Sequence, residues 1–169
     1  MKGYVVIDNF LPKNEFDKIK EIHMSDVFPW YFVNHVANKE DNKNFYFIHT
    51  FYNFDKLLSN QFYFRACCEP LLSKIGYDKI NKLIRIKSNL FTKTGEQIKH
   101  GIHSDYFFEH TTGVFSINTN NGYTGFEDGT KIESVENRML LFNGLIKHQS
   151  VSQSDTKLRL NMNLNFIGK

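Results

Sequence analysis

The chain has 169 residues, of which 41% are hydrophobic and 15% aromatic, and its formal net charge at pH 7 is +3. This composition excludes a disordered chain, and the length is close to that of one ordinary domain, so we expect a single domain over residues 1–169. The charge is mild and the lysines are spread along the whole chain, which gives no strong signal for nucleic-acid binding.

Cysteine use and hydropathy bear on the cellular compartment. Cys67 and Cys68 are adjacent, and neighbouring residues are poorly placed for disulfide geometry, which favours a reducing compartment. No apolar run reaches the roughly 18 residues of a membrane span, and the run from Tyr4 to Ile7 is too short for a signal-peptide core. We therefore expect a soluble, cytoplasmic protein without a membrane partner, and the sequence leaves the oligomeric state open.

The N-terminal part, about residues 1–80, is predicted to be mainly helical. A short strand over residues 3–8 precedes a helix over residues 14–23, whose apolar positions fall on one face. A second helix is predicted between about residues 60 and 75. Pro70 must either kink this helix or lie in the first turn of a shorter one.

Between these helices, the segment from Phe28 to Phe54 is rich in aromatic residues but shows no sustained period, so its structure is left unassigned. Its residues 45–54 could form a stacking platform for single-stranded nucleic acid, yet no clustered basic groove accompanies them. Packing in the core or along a substrate channel is the stronger interpretation.

From about residue 82 to 167 the pattern changes to short strands. Apolar residues alternate with polar ones between residues 84 and 90, as a two-residue period requires: Ile84, Ile86 and Leu90 against Arg85, Lys87 and Asn89. Turn sequences follow at residues 92–95, 120–122 and 128–129. Further strands are predicted over Thr112 to Thr119, Thr130 to Val135, Arg138 to Phe142, Gln149 to Val151 and Lys157 to Phe166. Short strands at regular spacing indicate a sandwich or barrel.

Three residues have the right types for a metal site. Non-haem iron(II) enzymes hold the metal with two histidines and one carboxylate and leave the other positions open. His103 and Asp105 are two residues apart, so in extended backbone their side chains project from the same face, and His148 follows in a later strand. The His-x-Asp triplet alone is a weak signal, because seven histidines make a chance match common.

Arg159 adds context to this set. The chain has four arginines against seventeen lysines, and Arg159 lies on the polar face of the last predicted strand, 11 residues after His148. An arginine on an inward polar face needs a partner, and its planar fork suits a carboxylate. The distal carboxylate of 2-oxoglutarate is such a partner.

With these residues the chain resembles the prolyl-4-hydroxylase-like Fe(II)/2-oxoglutarate oxygenases, including small forms encoded by bacteriophages. The resemblance covers roughly the C-terminal half, through Arg85 to Phe91, His103-x-Asp105, Asn118 to Tyr123, Phe126 to Gly129, His148 and Arg159. It implies a mainly β fold with flanking α-helices, namely a double-stranded β-helix, which is a cupin-like jelly roll. The jelly roll would occupy about residues 82–167.

The resemblance also implies roles for single residues. His103, Asp105 and His148 would bind Fe(II), and Arg159 would anchor 2-oxoglutarate. The minor contributors to co-substrate binding would be Asn89 and Asn163, and the substrate-facing positions beside the metal motif would be His100 and Tyr106. Phe91 departs from the family pattern, because similar proteins often have there a tyrosine whose hydroxyl reaches the co-substrate.

The implied reaction uses O₂ to convert 2-oxoglutarate into succinate and CO₂ while a C–H bond is hydroxylated. Asp105 favours hydroxylation, because related halogenases lack this carboxylate. A subclass that repairs alkylated nucleic acids usually has a second arginine where this chain has Asn165, which counts against that activity. The substrate, a prolyl or other protein residue or a small molecule, is left open.

The alternative from another class is a non-catalytic jelly roll, a binding or virion-associated module with a degenerate metal site, since fold alone does not imply activity. The remaining candidates for metal binding are weaker. His35, His49 and His110 lie outside any ligand spacing, and we assign them no function.

Overall fold

The structure is a computed structural model that describes residues 3–37 and 43–169. Its strands are β1 Tyr4–Ile7, β2 Tyr31–Val33, β3 Tyr46–Asn53, β4 Lys56–Leu57, β5 Ile80–Thr92, β6 Thr111–Ser116, β7 Asn120–Phe126, β8 Lys131–Ser134, β9 Arg138–Asn143, β10 His148–Val151 and β11 Leu158–Gly168. Its α-helices are α1 Lys13–Met24, α2 Gln61–Tyr63 and α3 Glu69–Ile75, with a π-helix at Phe64–Cys68 and a 3₁₀-helix at Tyr77–Lys79. The predicted mainly β character is confirmed.

The strands form two antiparallel sheets. The larger sheet has the order β1-β9-β6-β11-β5-β3-β2, with β4 paired to β3, and the smaller sheet has the order β10-β7-β8. The cavity described below is lined by residues from both sheets. Within the described residues, no helix is long and apolar enough to cross a membrane.

The long β5–β11 pair organises the molecule. Leu160 lies opposite Leu90 and Met162 opposite Ser88. These four side chains therefore share one face of the sheet. The residues with fully buried apolar side chains pack in one cluster with the helices: Ile19, Phe51, Leu71, Ile86, Phe115, Leu160, Met162 and Leu164. The opposite face of the same ladder carries Arg159 and polar side chains, as the two-residue period predicts.

The first helix is confirmed to within one residue at each end. Phe16, Ile19 and His23 are its buried residues, at the three- and four-residue spacing of a helix face. His23 bonds the carbonyl of Ile19 through Nδ1 (2.7 Å) and the hydroxyl of Ser88 on β5 through Nε2 (2.6 Å). Burial lowers the pKa of His23 to about 4, so the neutral imidazole is the native form.

Pro70 decides how the second helical region is built. It lies in the first turn of α3, where its missing N–H costs nothing, and Gly76 ends the helix with a φ of +104°. The π-helix before it holds Cys67 and Cys68, which are free and buried. Burial raises the pKa of the Cys67 thiol to about 12, so both cysteines are inert parts of the core.

The prediction of a mainly helical part over about residues 1–80 is wrong for much of its length. Four strands, β1 to β4, lie there. The unassigned aromatic segment contains β2 and β3, and its residues 38–42 lie outside the described part. Tyr46 on β3 lines the cavity while Phe51 is fully buried in the core. Because both faces of β3 are covered by protein, the apolar alternation that would have marked the strand is lost.

The predicted turn at residues 120–122 is also wrong. These residues begin β7, and the predicted strand from Thr112 ends at Ser116. The β7–β8 register shifts between Asn120 and Tyr123, so the irregularity that the glycine indicated is a bulge. A methyl group at Gly122 would lie 2.7 Å from Cδ of Arg159, which means that glycine is needed there for close approach.

Candidate metal centre

His103, Asp105 and His148 come together at one end of the space between the sheets. One ligand atom from each lies within 4.8 Å of the others. A β-bridge fixes the two histidines: the backbone N–H of each donates to the carbonyl of the other at 2.9 Å. Their ring centroids are 4.8 Å apart. The sequence predicted these three residues, and the structure brings all three to one point.

Hydrogen bonds orient both imidazoles. Nδ1 of His103 lies 3.0 Å from the carbonyl of Gly101, and Nδ1 of His148 lies 3.0 Å from the carbonyl of Ile146. Since a carbonyl accepts, each Nδ1 carries the proton, and each Nε2 keeps a lone pair for a metal. Burial lowers the pKa of His148, which favours this neutral form.

The carboxylate of Asp105 is held from three sides. Arg85 Nη2 donates to Oδ1 at 2.8 Å, while Asn165 Nδ2 (2.9 Å) and the Thr112 hydroxyl (3.3 Å) donate to Oδ2. Burial alone would raise the pKa of Asp105, but the charge of Arg85 and the Asn165 hydrogen bond outweigh it and hold the pKa well below its usual range. The group is therefore an anion in a fixed position.

This donor set fits iron(II). Two imidazoles and one carboxylate on one side of an ion leave other coordination positions free, which is the arrangement of non-haem iron oxygenases. Asp105 keeps about one unused lone pair, on Oδ1, after its three hydrogen bonds, because an ionised carboxylate has about four acceptor sites. The three residues could thus hold a divalent metal without rearrangement of their hydrogen-bonding partners.

The triad opens on a cavity of about 220 Å³. This volume lies below the roughly 300–1,000 Å³ of common ligand pockets. A small co-substrate and a side chain or fragment of a second molecule fit such a space better than two large ligands. The charged residues of its lining are Arg85, Lys87, Asp105 and Arg159.

Arg159 lines the same cavity from β11 and is 1% exposed. Its Nε donates to the Ser134 hydroxyl (2.9 Å) and its Nη1 to the Ser150 hydroxyl (2.7 Å). Burial lowers the pKa of Arg159 to about 10, so it remains a cation at neutral pH. None of the ion pairs among the described residues includes Arg159. A buried cation whose hydrogen-bond partners in the described chain are hydroxyls is a suitable position for an anion.

Asparagines form the floor between the metal end and Arg159. Asn89 donates from Nδ2 to Asn161 (2.7 Å) and Asn163 (3.1 Å). Its own Oδ1 is buried and has no hydrogen-bond partner in the described part of the chain. The two predicted minor contributors therefore line the cavity and contact each other, and Asn89 offers an acceptor to a ligand.

The sequence interpretation did not include Arg85, Lys87 or Tyr46 among the site residues. Arg85 pairs with Asp105, and Lys87 donates from Nζ to the Tyr46 hydroxyl at 3.3 Å. The signal for the two basic residues was present, because Arg85 and Lys87 share the polar face of β5 with Asn89. Tyr46 could not be found in this way, since β3 shows no alternation.

The predicted substrate-facing residues lie away from the described lining of this cavity. His100 is buried, stacks on Phe91 at 5.7 Å and lines a separate small pocket. Tyr106 packs 5.3 Å from the Arg85 guanidinium and against Phe54. Their role in substrate binding stays a prediction. Of the histidines that were assigned no function, His35 lines the cavity.

Phe91 keeps its place in the cavity without a hydroxyl. The Arg159 guanidinium carbon lies 5.4 Å from its ring centroid, and the Tyr46 ring stacks on it at 5.3 Å. Phe91 itself has no hydroxyl, but the neighbouring Tyr46 has one, which accepts a hydrogen bond from Lys87.

Comparison with known proteins supports the fold. No protein-family model and no curated protein matches the chain in sequence. Solved structures match over nearly its whole length. The Pseudomonas putida prolyl-4-hydroxylase has 15% identity and a TM-score of 0.63, and the match covers 99% of this chain and 93% of that one. The viral collagen prolyl hydroxylase of Paramecium Bursaria Chlorella virus-1 has 14% identity and a TM-score of 0.61, with 97% and 95% covered.

A third match differs in activity. The non-heme alpha-ketoglutarate-dependent epimerase SnoN of nogalamycin biosynthesis has 12% identity and a TM-score of 0.67, with 98% of this chain and 77% of that chain covered. The chain therefore has the jelly-roll fold of 2-oxoglutarate/Fe(II) oxygenases, which confirms the predicted double-stranded β-helix. Because the matched proteins include hydroxylases and an epimerase, the reaction has to be argued from the site.

Proposed function

We propose that the protein is an Fe(II)- and 2-oxoglutarate-dependent dioxygenase that hydroxylates a C–H bond and releases succinate and CO₂. One observation carries this proposal: the triad His103, Asp105 and His148 opens on the same small cavity as the buried cation Arg159. A dicarboxylic keto acid has one end that suits a metal and another that suits an arginine. The shared fold with 2-oxoglutarate oxygenases supports the same assignment.

Each residue has a defined task in this proposal. His103 and His148 would hold iron(II) through Nε2 and Asp105 through a carboxylate oxygen. When bound, iron and 2-oxoglutarate together supply the activation of O₂ for C–H oxidation. Arg159 would bind the distal carboxylate, and Asn89 and Asn163 would contribute to the floor beneath the co-substrate.

The surroundings of Arg159 fit its task. Ser134 and Ser150 fix the guanidinium from the protein side by accepting from Nε and Nη1. The face of Phe91 covers the guanidinium. These contacts orient the cation before a ligand arrives and exclude water around it, which strengthens its attraction for a carboxylate. Phe91 itself donates no hydrogen bond, so Arg159 has the larger share of the binding energy.

For the substrate we propose a prolyl or other protein residue. Two of the three structures described above are named as prolyl hydroxylases, one of them viral. The small cavity suits an inserted side chain better than a whole second metabolite. Incubation of candidate peptides with the protein, Fe(II), 2-oxoglutarate and O₂ tests this: we expect a peptide product heavier by one oxygen atom. A small-molecule product with unmodified peptides would contradict the substrate class alone.

The activity is tested by succinate formation from 2-oxoglutarate. We expect iron(II)-dependent succinate with the wild-type protein and at least about a 100-fold loss with His103→Ala, because loss of a ligand exceeds the 10–100-fold cost of losing a partner of a ligand. His35→Ala is the matched control, since it removes a histidine from the same cavity outside the triad.

Melting temperatures give a second readout that does not need turnover. Mn(II) and 2-oxoglutarate should each raise the melting temperature of the wild-type protein and of His35→Ala, and Mn(II) should not raise that of His103→Ala. A wild-type protein that neither ligand stabilises would contradict the oxygenase and favour the non-catalytic jelly-roll module.

A further inference from the structure

The cavity has more cations than the proposed co-substrate uses. Among the described lining residues, Arg85, Lys87 and Arg159 stand against one carboxylate, that of Asp105. Arg85 is neutralised by Asp105 at 2.8 Å. The two carboxylates of 2-oxoglutarate would lie at the metal and at Arg159. Lys87 has no ion-pair partner among the described residues, and burial and the charge of Arg85 lower its pKa to about 7, so a bound anion would favour its charged form.

The contacts of Lys87 are those of an open binding position. Its Nζ donates to the Tyr46 hydroxyl at 3.3 Å, and none of the ion pairs among the described residues includes it. The Tyr46 hydroxyl accepts from Lys87 and keeps its own proton to donate. Together they present an ammonium and a phenol O–H side by side, which matches the two oxygens of a carboxylate or phosphate.

The position of Lys87 separates it from the co-substrate anchor. On β5 it lies between Arg85 and Asn89, opposite Asn163, while Arg159 lies opposite Phe91. Four residues of strand, about 13 Å along the backbone, therefore separate the levels of Lys87 and Arg159. Only two residues, about 7 Å, separate Lys87 from Arg85, and Arg85 pairs with the candidate metal ligand Asp105. Lys87 thus belongs to the metal end, beside the place of reaction.

We propose that Lys87 and Tyr46 bind an anionic group, a carboxylate or phosphate, of the molecule that is oxidised. This inference rests on the proposed function and adds the chemical class of the substrate. The anion would hold the substrate by one fixed point near the metal, so that a neighbouring C–H bond is presented to it. Asn89 Oδ1, which is buried and has no hydrogen-bond partner among residues 3–37 and 43–169, lies on the adjacent cavity-facing position and would accept from a donor on the same substrate.

The test uses simple anions as probes. Sodium acetate and inorganic phosphate are titrated at constant ionic strength into protein loaded with Mn(II) and saturated with 2-oxoglutarate, and the melting temperature is followed. We expect saturable stabilisation by at least one anion. Lys87→Met should weaken its binding at least about tenfold, which is the usual effect of losing a charged hydrogen bond. The tighter anion of the two identifies the group on the substrate.

Three further variants define the contact. Lys87→Arg keeps the charge and should retain most of the anion affinity. Tyr46→Phe removes one hydroxyl and should weaken binding about fivefold. Lys93→Met, the matched control, removes an exposed lysine just beyond the end of β5 and should leave the affinity unchanged.

The outcomes separate this inference from the proposed function. Equal anion affinity in the wild-type protein and Lys87→Met would overturn it, as would the absence of saturable anion binding. An equal loss of 2-oxoglutarate and anion affinity in Lys87→Met would assign the lysine to the co-substrate and overturn it as well. If 2-oxoglutarate itself fails to bind the wild-type protein, the proposed function falls, and the same titration without 2-oxoglutarate still decides whether Lys87 binds an anion.

Discussion

The two faces of the β5–β11 ladder treat their polar groups in opposite ways. On the face towards the helices, the hydroxyl of Ser88 is paired with His23 at 2.6 Å, and its neighbours are apolar and buried. On the face towards the cavity, within the described part of the chain, the basic residues Lys87 and Arg159 form no ion pair, and Asn89 has a buried oxygen without a hydrogen-bond partner. The polar group of the first face is paired within the protein, whereas those of the second face are open to a ligand.

This difference separates residues that stabilise the fold from residues that bind. A substitution on the helix-facing side removes packing or a closed hydrogen bond, so its effect is on the free energy of unfolding. On the proposed function, a substitution on the cavity-facing side removes a partner of a ligand, so we expect its effect on affinity. The following variants test whether stability and affinity separate in this way.

The largest effect on stability is expected for Leu160→Ala. Leu160 is fully buried in the core cluster, and its truncation should lower the free energy of unfolding by about 3 kcal/mol through lost burial and a residual cavity. Asn163→Ala, on the cavity-facing side of the same strand, should change the free energy of unfolding by less than about 1 kcal/mol. Urea denaturation measures both values. A larger loss for Asn163→Ala than for Leu160→Ala would break the distinction between the faces.

Acid should lower the free energy of unfolding through His23, which packs on the helix-facing side. Burial lowers the native pKa of His23 to about 4, below the ordinary value of 6.5, so the fold favours the neutral ring. Its contribution is complete above pH 6.5, is lost as the pH falls from 6.5 to 4, and changes no further below that; the total is about 3 kcal/mol. The stability advantage of the wild-type protein over His23→Gln should therefore shrink across this range in urea titrations. A constant difference between pH 7 and 4 would show that His23 is not neutral in the fold.

On the cavity-facing side, Asn165→Ala should lower the affinity for metal. Asn165 donates to the candidate ligand Asp105 at 2.9 Å, and loss of such a partner weakens metal binding by about 10-fold or more. Isothermal titration with Mn(II) measures the change. Asn163→Ala is again the control, because Asn163 contacts Asn89 and not Asp105. Equal metal affinity of Asn165→Ala and the wild-type protein would remove Asn165 from the support of the site.

Much of the C-terminal half could be predicted from local pattern. The alternation in β5 and β11 placed Arg159 and the asparagines on one face, and the helix α1 followed from its apolar spacing. These elements have one face in the core, so their periods are visible in the sequence. Pro70 likewise indicated the start of α3, because a residue without a backbone N–H fits only in the first turn of a helix.

Prediction from the sequence was wrong or incomplete where a strand is buried on both faces or where two segments approach closely, because neither leaves a local pattern of apolar residues. β3 is covered on two faces, so Tyr46 was hidden among aromatics and with it the partner of Lys87. Gly122 was interpreted as a turn residue, although its lack of a side chain makes room for Arg159. Both depend on which strands become neighbours, and strand order is a property of the folded chain.

In the proposed function, one keto acid spans the cavity from the metal triad to Arg159. Pyruvate has the same keto acid end as 2-oxoglutarate but lacks the distal carboxylate, so the ratio of their affinities for Mn(II)-loaded protein measures the second contact alone. We predict that the wild-type protein and the control Arg65→Ala bind 2-oxoglutarate about 100-fold more tightly than pyruvate. Arg159→Met should bring the two affinities close together while Mn(II) binding is kept. An unchanged preference for 2-oxoglutarate in Arg159→Met would show that Arg159 does not bind the distal carboxylate.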